Sequence, residues 1–310
     1  MEGPCSPRTG TIAELALLFL LASLWGVSYT FIKLGVATIP PVTLIAGRTL
    51  IAGVLLLLIM GWRGLAMPTD AANWRRFLFQ ACLNSVIPWT MIASGERFVD
   101  AGLTTILNSG SPLFTFLFTA LVTRHELATP RKLFGVVIGM AGICLIVGAK
   151  AFGHLGQGFL AEIAIVAATL CYACGAIFSR GFRGLDPMAP EAGSLLCGAA
   201  ILTPISLVVD RPWALSPSMS SILALLGLAI FSTAFAFVLY FRLIQTLGSV
   251  GTTAQAYLRF PIGVAVSVVF LGESLSPSGW VGLCCVVAGV AAMTIPSRSA
   301  DAPEIRRFRG

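Results

Sequence analysis

Residues 126–142 read ELATPRKLFGVVIGMAG, and residues 273–289 read ESLSPSGWVGLCCVVAG. Glu126, Pro130, Gly135 and Gly142 return as Glu273, Pro277, Gly282 and Gly289, each 147 residues further on. That offset is close to half of the 310 residues, and at the same offset Trp25 falls on Tyr172, Phe31 on Phe178 and Lys33 on Arg180. A repeat this long is too large for a stacked solenoid unit, so each copy is half a protein. The fold then turns on how many membrane crossings one copy holds. An odd number sets the halves in opposite orientations across a bilayer.

Composition makes the bilayer the relevant solvent. Apolar residues are 57% of the chain, charged residues 11%, and the mean hydropathy is +0.91. Crossing about 30 Å of hydrocarbon takes about 20 apolar residues. Ten such runs are expected, at 11–32, 39–61, 77–95, 101–123, 132–149, 158–179, 189–209, 219–241, 250–271 and 279–295. The expected fold class is an all-α integral membrane protein of ten transmembrane helices, arranged as two inverted five-helix repeats. The expected division is a cytoplasmic tail (1–10), a first repeat (11–149), a connector (150–157), a second repeat (158–295) and a basic cytoplasmic tail (296–310). The first run fits a signal peptide loosely, but the repeat needs it as the partner of span six, so it is expected to be retained.

Basic residues set the orientation, because loops rich in Lys and Arg stay on the cytoplasmic side. With the N-terminus inside, 14 of the 20 basic residues fall on inner segments, among them Arg63, Arg75, Arg76, Arg124 and the four tail arginines. Only Lys33, Arg97, Lys150 and Arg211 fall on outer ones. Both termini are therefore expected in the cytoplasm. The net charge of +7 reflects inner loops near anionic lipid and not a nucleic-acid surface. Seven of the eight cysteines lie within spans. The Cys171-x-x-Cys174 pair has no second pair and no nearby histidines, so no metal site and no cofactor are expected.

The repeated motif reads as a packing and turn device. The glutamate ends a span and the proline opens the next helix, where its missing N–H costs nothing. The carboxylate is expected beside that following helix's N-terminus, where negative charge is favoured. The glycines lie two turns apart on one helical face and let backbones approach closely.

Polar residues inside the spans mark where function is sought. Trp25, Ser28, Tyr29 and Ile32 share a face of span one. Asn84 in span three is followed one turn later by Pro88 and Trp89. Asn108, Ser111, Thr115 and Thr119 form a stripe on span four beside Pro112. Thr252, Gln255 and Arg259 share a face of span nine ahead of Pro261. A mid-span proline frees backbone groups that neighbours, water or a ligand must satisfy. Ser and Thr in such helices also bond their own backbone, which is the plainer reading of Ser111 and Thr119 taken singly.

Arg48 and Arg259 are the sharper signal. Each lies about nine residues into a span, near the bilayer centre. A cation there is costly unless it meets water, a partner or a substrate. No Asp or Glu is expected mid-span to neutralise either, since Glu14, Glu96 and Glu162 fall at span ends. The plain alternatives are bonding to backbone carbonyls or snorkelling to an interface. Facing one cavity, the pair suits a carboxylate.

The WGVSYTFIK stretch at 25–33, Arg48, NSGSPLFTF at 108–116 closing on Glu126, and YLRFPIGVAVSVVFLGE at 257–273 resemble the EamA family of the drug/metabolite transporter superfamily. The resemblance runs from about residue 12 to 295. It implies ten transmembrane helices in two inverted repeats around a central cavity. It also implies small-metabolite transport, commonly export from the bacterial cytoplasm. Family cavities are lined by the helices equivalent to spans one, three, four, six, eight and nine. The run at 125–143 also resembles the last helix of the small multidrug resistance proteins, whose first helix carries an essential glutamate. Trp25 and Tyr172 stand at the matching positions here, which disfavours a cationic-drug antiporter.

The expectation is therefore a multi-pass transporter of the bacterial inner membrane, a monomer or weak homodimer in membrane lipid, with no enzymatic activity. Its small-molecule substrate is expected to be an amino acid or related carboxylated compound, moved by alternating access. Expected binding residues are Trp25, Tyr29, Arg48, Asn84, Trp89, Asn108, Ser111, Tyr172, Gln255, Tyr257 and Arg259. A lipid or lipid-linked-sugar flippase and a multidrug exporter are the alternatives. Nothing in the chain supports a membrane enzyme, because it lacks paired carboxylates, a His/Cys cluster and a serine–base arrangement.

Overall fold

The computed structural model describes residues 8–118, 130–151, 157–182, 184–253 and 255–294, and among these every regular element is helical. The first half holds α1 (Arg8–Val36), α2 (Pro41–Trp62), α3 (Ala71–Ala81), α4 (Ile87–Gly95), α5 (Ala101–Asn108), α6 (Ser111–Phe118) and α7 (Pro130–Ala151). The second holds α8 (Gln157–Ser179), α9 (Met188–Val209), α10 (Met219–Ala229), α11 (Ala236–Thr253), α12 (Gln255–Leu271) and α13 (Pro277–Thr294). Proline supplies the first residue of α2, α7 and α13, as a helix start permits.

Six stretches are long and apolar enough to cross a membrane: Ile12–Val36, Pro41–Trp62, Ala71–Gly95, Gly158–Phe182, Met188–Val209 and Met219–Leu247. Leu133–Leu145, Leu258–Leu271 and Pro277–Gly289 are shorter apolar helices. Leu58, Val137, Val208, Val269 and Phe270 are exposed on the outside, as residues that face hydrocarbon would be. The fold is thus an all-helical membrane fold.

The helix pairings repeat between the halves. α2 packs on α9 and α7 on α13, which are each other's repeat equivalents. α1 packs on α11 and α12, and α8 correspondingly on α4, α5 and α6. α1 also packs closely on α10, whose repeat equivalent α3 meets α8 only lightly, so the halves match in most of their pairings and differ in this one.

The seam between α7 and α13 shows why the glycines recur. A Cβ on Gly142 would stand 2.9 Å from the Gly282 carbonyl oxygen, and one on Gly289 would collide with the Gly135 carbonyl. Adding 147 to one member of the first pair and subtracting it from the other yields the second pair. Backbone meets backbone at both places, so the packing role of the glycines is visible directly.

Three local expectations change. The stripe of span four is not one continuous helix, because helical bonding breaks at Ser109–Gly110 between α5 and α6. Spans eight and nine are not parted at 242–249 either, since α11 runs on to Thr253. The motif glutamate also caps a different helix from the one expected. Glu273 accepts from the backbone N–H groups of Ala101 and Gly102, both at 2.9 Å, so it caps α5 of the other half and not α13. Asp100, the local N-cap of α5, makes no side-chain capping bond, which leaves those donors free for Glu273. Glu126 and Thr119 lie outside the described residues.

Spans three and eight each contain a π-helical turn, at Cys82–Val86 and Ile230–Phe235. The repeat offset carries the first onto 229–233, so the irregularity is itself repeated. Such turns collect at functional sites because the extra residue re-aims the side chains around it.

Candidate functional site

Arg48 on α2 is 6% exposed, and its environment is neither of the plain alternatives. Its Nε donates to the Thr233 hydroxyl at 2.9 Å, and its guanidinium carbon lies 3.5 Å from the centre of the Trp89 ring. A desolvated arginine over an indole face gains on the order of 2 kcal/mol. Thr233 belongs to the second π turn. Its hydroxyl donates to the Leu228 carbonyl at 2.7 Å, five residues back, which turns a lone pair toward Arg48.

Arg259 on α12 is half-buried. Its guanidinium carbon is 4.7 Å from the Phe260 ring centre and 5.9 Å from that of Trp25. Its Nε is buried without a hydrogen-bond partner among the described residues. α1 and α12 touch at this level through Gly26, where a Cβ would stand 2.8 Å from the Arg259 carbonyl oxygen and 3.0 Å from the Gly263 nitrogen. Gly26 therefore sets how closely Arg259 sits to Trp25.

Tyr172 on α8 joins the two arginines. Both lie within electrostatic reach of its hydroxyl, as does Tyr29, and its side chain meets that of Trp89. Tyr29 in turn accepts a hydrogen bond from the Asn108 side-chain amide. Trp25 packs against Phe237 and Tyr240, with ring centres 5.8 and 5.4 Å away. One cluster thus gathers Trp25, Tyr29, Arg48, Trp89, Asn108, Tyr172 and Arg259 from α1, α2, α4, α5, α8 and α12.

The other expected residues stand apart or at its edge. Ser111 donates to the Asn108 carbonyl at 3.1 Å, and Thr115 to the Ser111 carbonyl at 2.9 Å, the backbone bonding that such residues often make. Asn84 lies in the first π turn facing Gly175 on α8. Gln255 is buried with its Oε1 unpartnered. The side chain of Tyr257 lies outside the described residues.

The sequence did not mark Thr233 as a site residue; the one signal it carries is that Ser232–Thr233 interrupts an apolar run. The acids that act on Arg48 stand at helix ends and not mid-span. Glu96, past the end of α4, and Glu191, in the first turn of α9, both lie within its electrostatic reach.

The two ends of the bundle differ. At the end carrying Lys33, bonds across the halves latch the helices: Glu273 to α5, Ser221 to the Leu34 carbonyl at 2.7 Å, and Asp210 accepting from the Thr43 N–H and hydroxyl at 3.0 and 2.7 Å. At the opposite end a cleft of about 440 Å³ is lined by Arg63, Asp186, Met188, Phe241, Arg242 and Gln245 among others. Glu14 and Arg242 approach to 3.7 Å beside it.

Comparison with known proteins agrees with this architecture. The model of the EamA-like transporter family matches residues 13–148 and again 159–295. The uncharacterized inner membrane transporter YedA of Escherichia coli K12 is 28% identical over 298 residues, covering 93% of this chain and 94% of its own. A probable amino-acid metabolite efflux pump of Salmonella typhimurium LT2 is 25% identical over 297 residues, covering 88% and 92%. A crystal structure at 19% identity superposes with a TM-score of 0.64 over 91% of this chain and 96% of that one, a likeness of fold alone. With the family model matched once by each half, this chain belongs to the EamA-like transporter family and is a membrane transporter, not an enzyme.

Proposed function

We propose that this chain is a secondary transporter that exports amino acids or related carboxylated compounds by alternating access. It has ten transmembrane helices in two inverted repeats, 11–149 and 158–295, lies in the bacterial inner membrane with both termini in the cytoplasm, and works as a monomer or weak homodimer. The observation that carries the reading is that buried Arg48 and half-buried Arg259, one from each half, both lie within electrostatic reach of Tyr172. Arginine holds a carboxylate through paired, charge-assisted hydrogen bonds. Arg259 keeps a buried N–H without a partner, and the aromatic rings of Trp25, Trp89 and Tyr172 suit the apolar part of a small metabolite. The amino-acid metabolite efflux pump among the relatives points to the same substrate class.

The orientation rests on the basic loops, and two contacts bear on which segments share a side. Lys33 meets Glu96 and Val99, and Arg76 meets Gly181, so each contact joins segments that charge counting puts on one side. On this assignment the latched end faces outward and the cleft faces the cytoplasm.

The test is counterflow in proteoliposomes loaded with unlabelled amino and organic acids and supplied with labelled ones. Accumulation of at least one carboxylated compound is expected, with loss in Arg48→Ala and Arg259→Ala. Silence across the panel, or undiminished counterflow in both variants, sinks the substrate class. Scrambling of a labelled lipid instead would support the flippase reading.

A further inference from the structure

Glu96 follows the last residue of α4, one position beyond the apolar span Ala71–Gly95. A carboxylate at such a boundary ordinarily finds water. Here the residue is 0% exposed, and neither carboxylate oxygen has a hydrogen-bond partner among the described residues.

The surroundings offer little to an ionised group. On α1, Lys33 is the nearest cation, but its Nζ donates at 2.7 Å to the main-chain oxygens of Glu96 and Val99, not to the carboxylate. On α8, Ala161 and Ile165 pack against Gly95 from the turn that also holds the buried Glu162. Beyond α12, Glu273 adds a second negative charge while bound to the start of α5. Arg48 on α2 acts from further away, and Arg97 and Asp100 in the adjoining turn are exposed. Burial of a bare carboxylate is far costlier than burial of the neutral acid. Burial therefore holds the Glu96 carboxyl well above the usual carboxylate range, with Lys33 opposing and Glu273 reinforcing the shift.

We propose that Glu96 is a proton-binding site, and that closure of the outer end of this transporter requires one proton bound there. The proposal rests on the alternating-access reading above. When the outer end opens, water hydrates Glu96 and the carboxyl gives its proton to the external solution. Before the end closes again, the carboxylate takes one proton back from outside, because the closed state has no donor for its charge. Closing is then favoured by external acid. It fails as external pH rises through the range in which buried Glu96 titrates.

Cysteine labelling in right-side-out membrane vesicles tests this without any substrate. Val99→Cys places a thiol at a buried position beside Glu96, and Phe98→Cys places an exposed one in the same turn. An impermeant maleimide labels both, and the ratio of their rates cancels the ionisation of the thiol itself. The parent chain subtracts its native cysteines. The ratio should be low and flat in acid, then rise by up to about tenfold per pH unit as the proton is lost. Glu96→Gln mimics the protonated acid and should keep the ratio low at every pH. Glu273→Gln removes one neighbouring negative charge and should move the rise to lower pH. An unchanged rise in Glu96→Gln, an unmoved one in Glu273→Gln, or a ratio that stays flat with pH while Val99→Cys is labelled in the otherwise unaltered chain overturns the proton site. Absence of Val99→Cys labelling at all pH values overturns both this and the alternating-access reading. Failure of amino-acid counterflow bears on the substrate class alone.

Discussion

The seam between α7 and α13 and the cluster around Tyr172 are built on opposite plans. At the seam the two halves contribute the same residues: Gly142 meets Gly282 and Gly289 meets Gly135, backbone against backbone. In the cluster they contribute different ones. Arg48 corresponds to Leu195 in the other half, and Arg259 to Pro112. Symmetry serves the scaffold, because two equivalent helices that cross must present equivalent small faces to each other. A site for a small, asymmetric molecule has no such requirement. The copies have therefore been free to diverge where the bundle does something other than hold together.

The strongest way to break this contrast is to remove Arg48. Truncating one member of a buried, hydrogen-bonded charged pair costs about 2–5 kcal/mol of binding, so Arg48→Ala should lower counterflow by roughly 30-fold or more. Arg48→Lys should fare little better, since an ammonium cannot both reach Thr233 through an Nε and lie flat over Trp89. Thermal stability should hold or rise in Arg48→Ala, because a desolvated cation has been taken out. A matching fall in melting temperature would instead make Arg48 a structural residue.

The seam should give the opposite signature. Gly142→Val puts branched carbons against the Gly282 carbonyl and Cys285. Overpacking of this kind costs about 1–3 kcal/mol. The melting temperature should drop, and the transport that remains should keep the substrate affinity of the parent. Altered affinity with unaltered stability would erase the distinction between the two regions. Between these lies Thr233, which orients Arg48 without being positioned to neutralise it. Thr233→Val leaves the Arg48 Nε without its acceptor and should cost roughly tenfold in counterflow affinity, in line with about 1–2 kcal/mol for an unmet buried donor.

The same contrast explains what could be read from the letters alone. The scaffold was legible because its signal is doubled: Glu, Pro and two glycines at one offset report the repeat, a helix start and close packing together. Arg48 and Arg259 were legible because a cation deep in an apolar run conflicts with its solvent. The partners were not. Thr233 is chosen by a π turn, and a five-residue backbone register leaves no mark in a one-dimensional pattern. Glu96 and Glu273 were misplaced for a related reason. Span counting puts both at a water boundary, and only the packing of α1, α5 and α8 over that turn reveals one as buried and the other as a cap for the opposite half.

Ser111 is the smallest test and sharpens the contrast from within the site. It sits in the polar stripe beside Asn108, where sequence alone makes it a binding candidate. Its hydroxyl donates to the Asn108 carbonyl at 3.1 Å and lies 3.4 Å from the Asn108 side-chain oxygen. The carbonyl it reaches is one left open by the helix break at Ser109–Gly110. Water or a shifted neighbour can replace so local a bond, and a substitution of this kind typically falls within about 0.5 kcal/mol. Ser111→Ala should therefore change counterflow by less than about twofold and leave the melting temperature unmoved. A tenfold loss would mean that the broken helix presents its hydroxyl to the substrate. The site would then extend along α6, and its polar stripe would no longer count as helix chemistry alone.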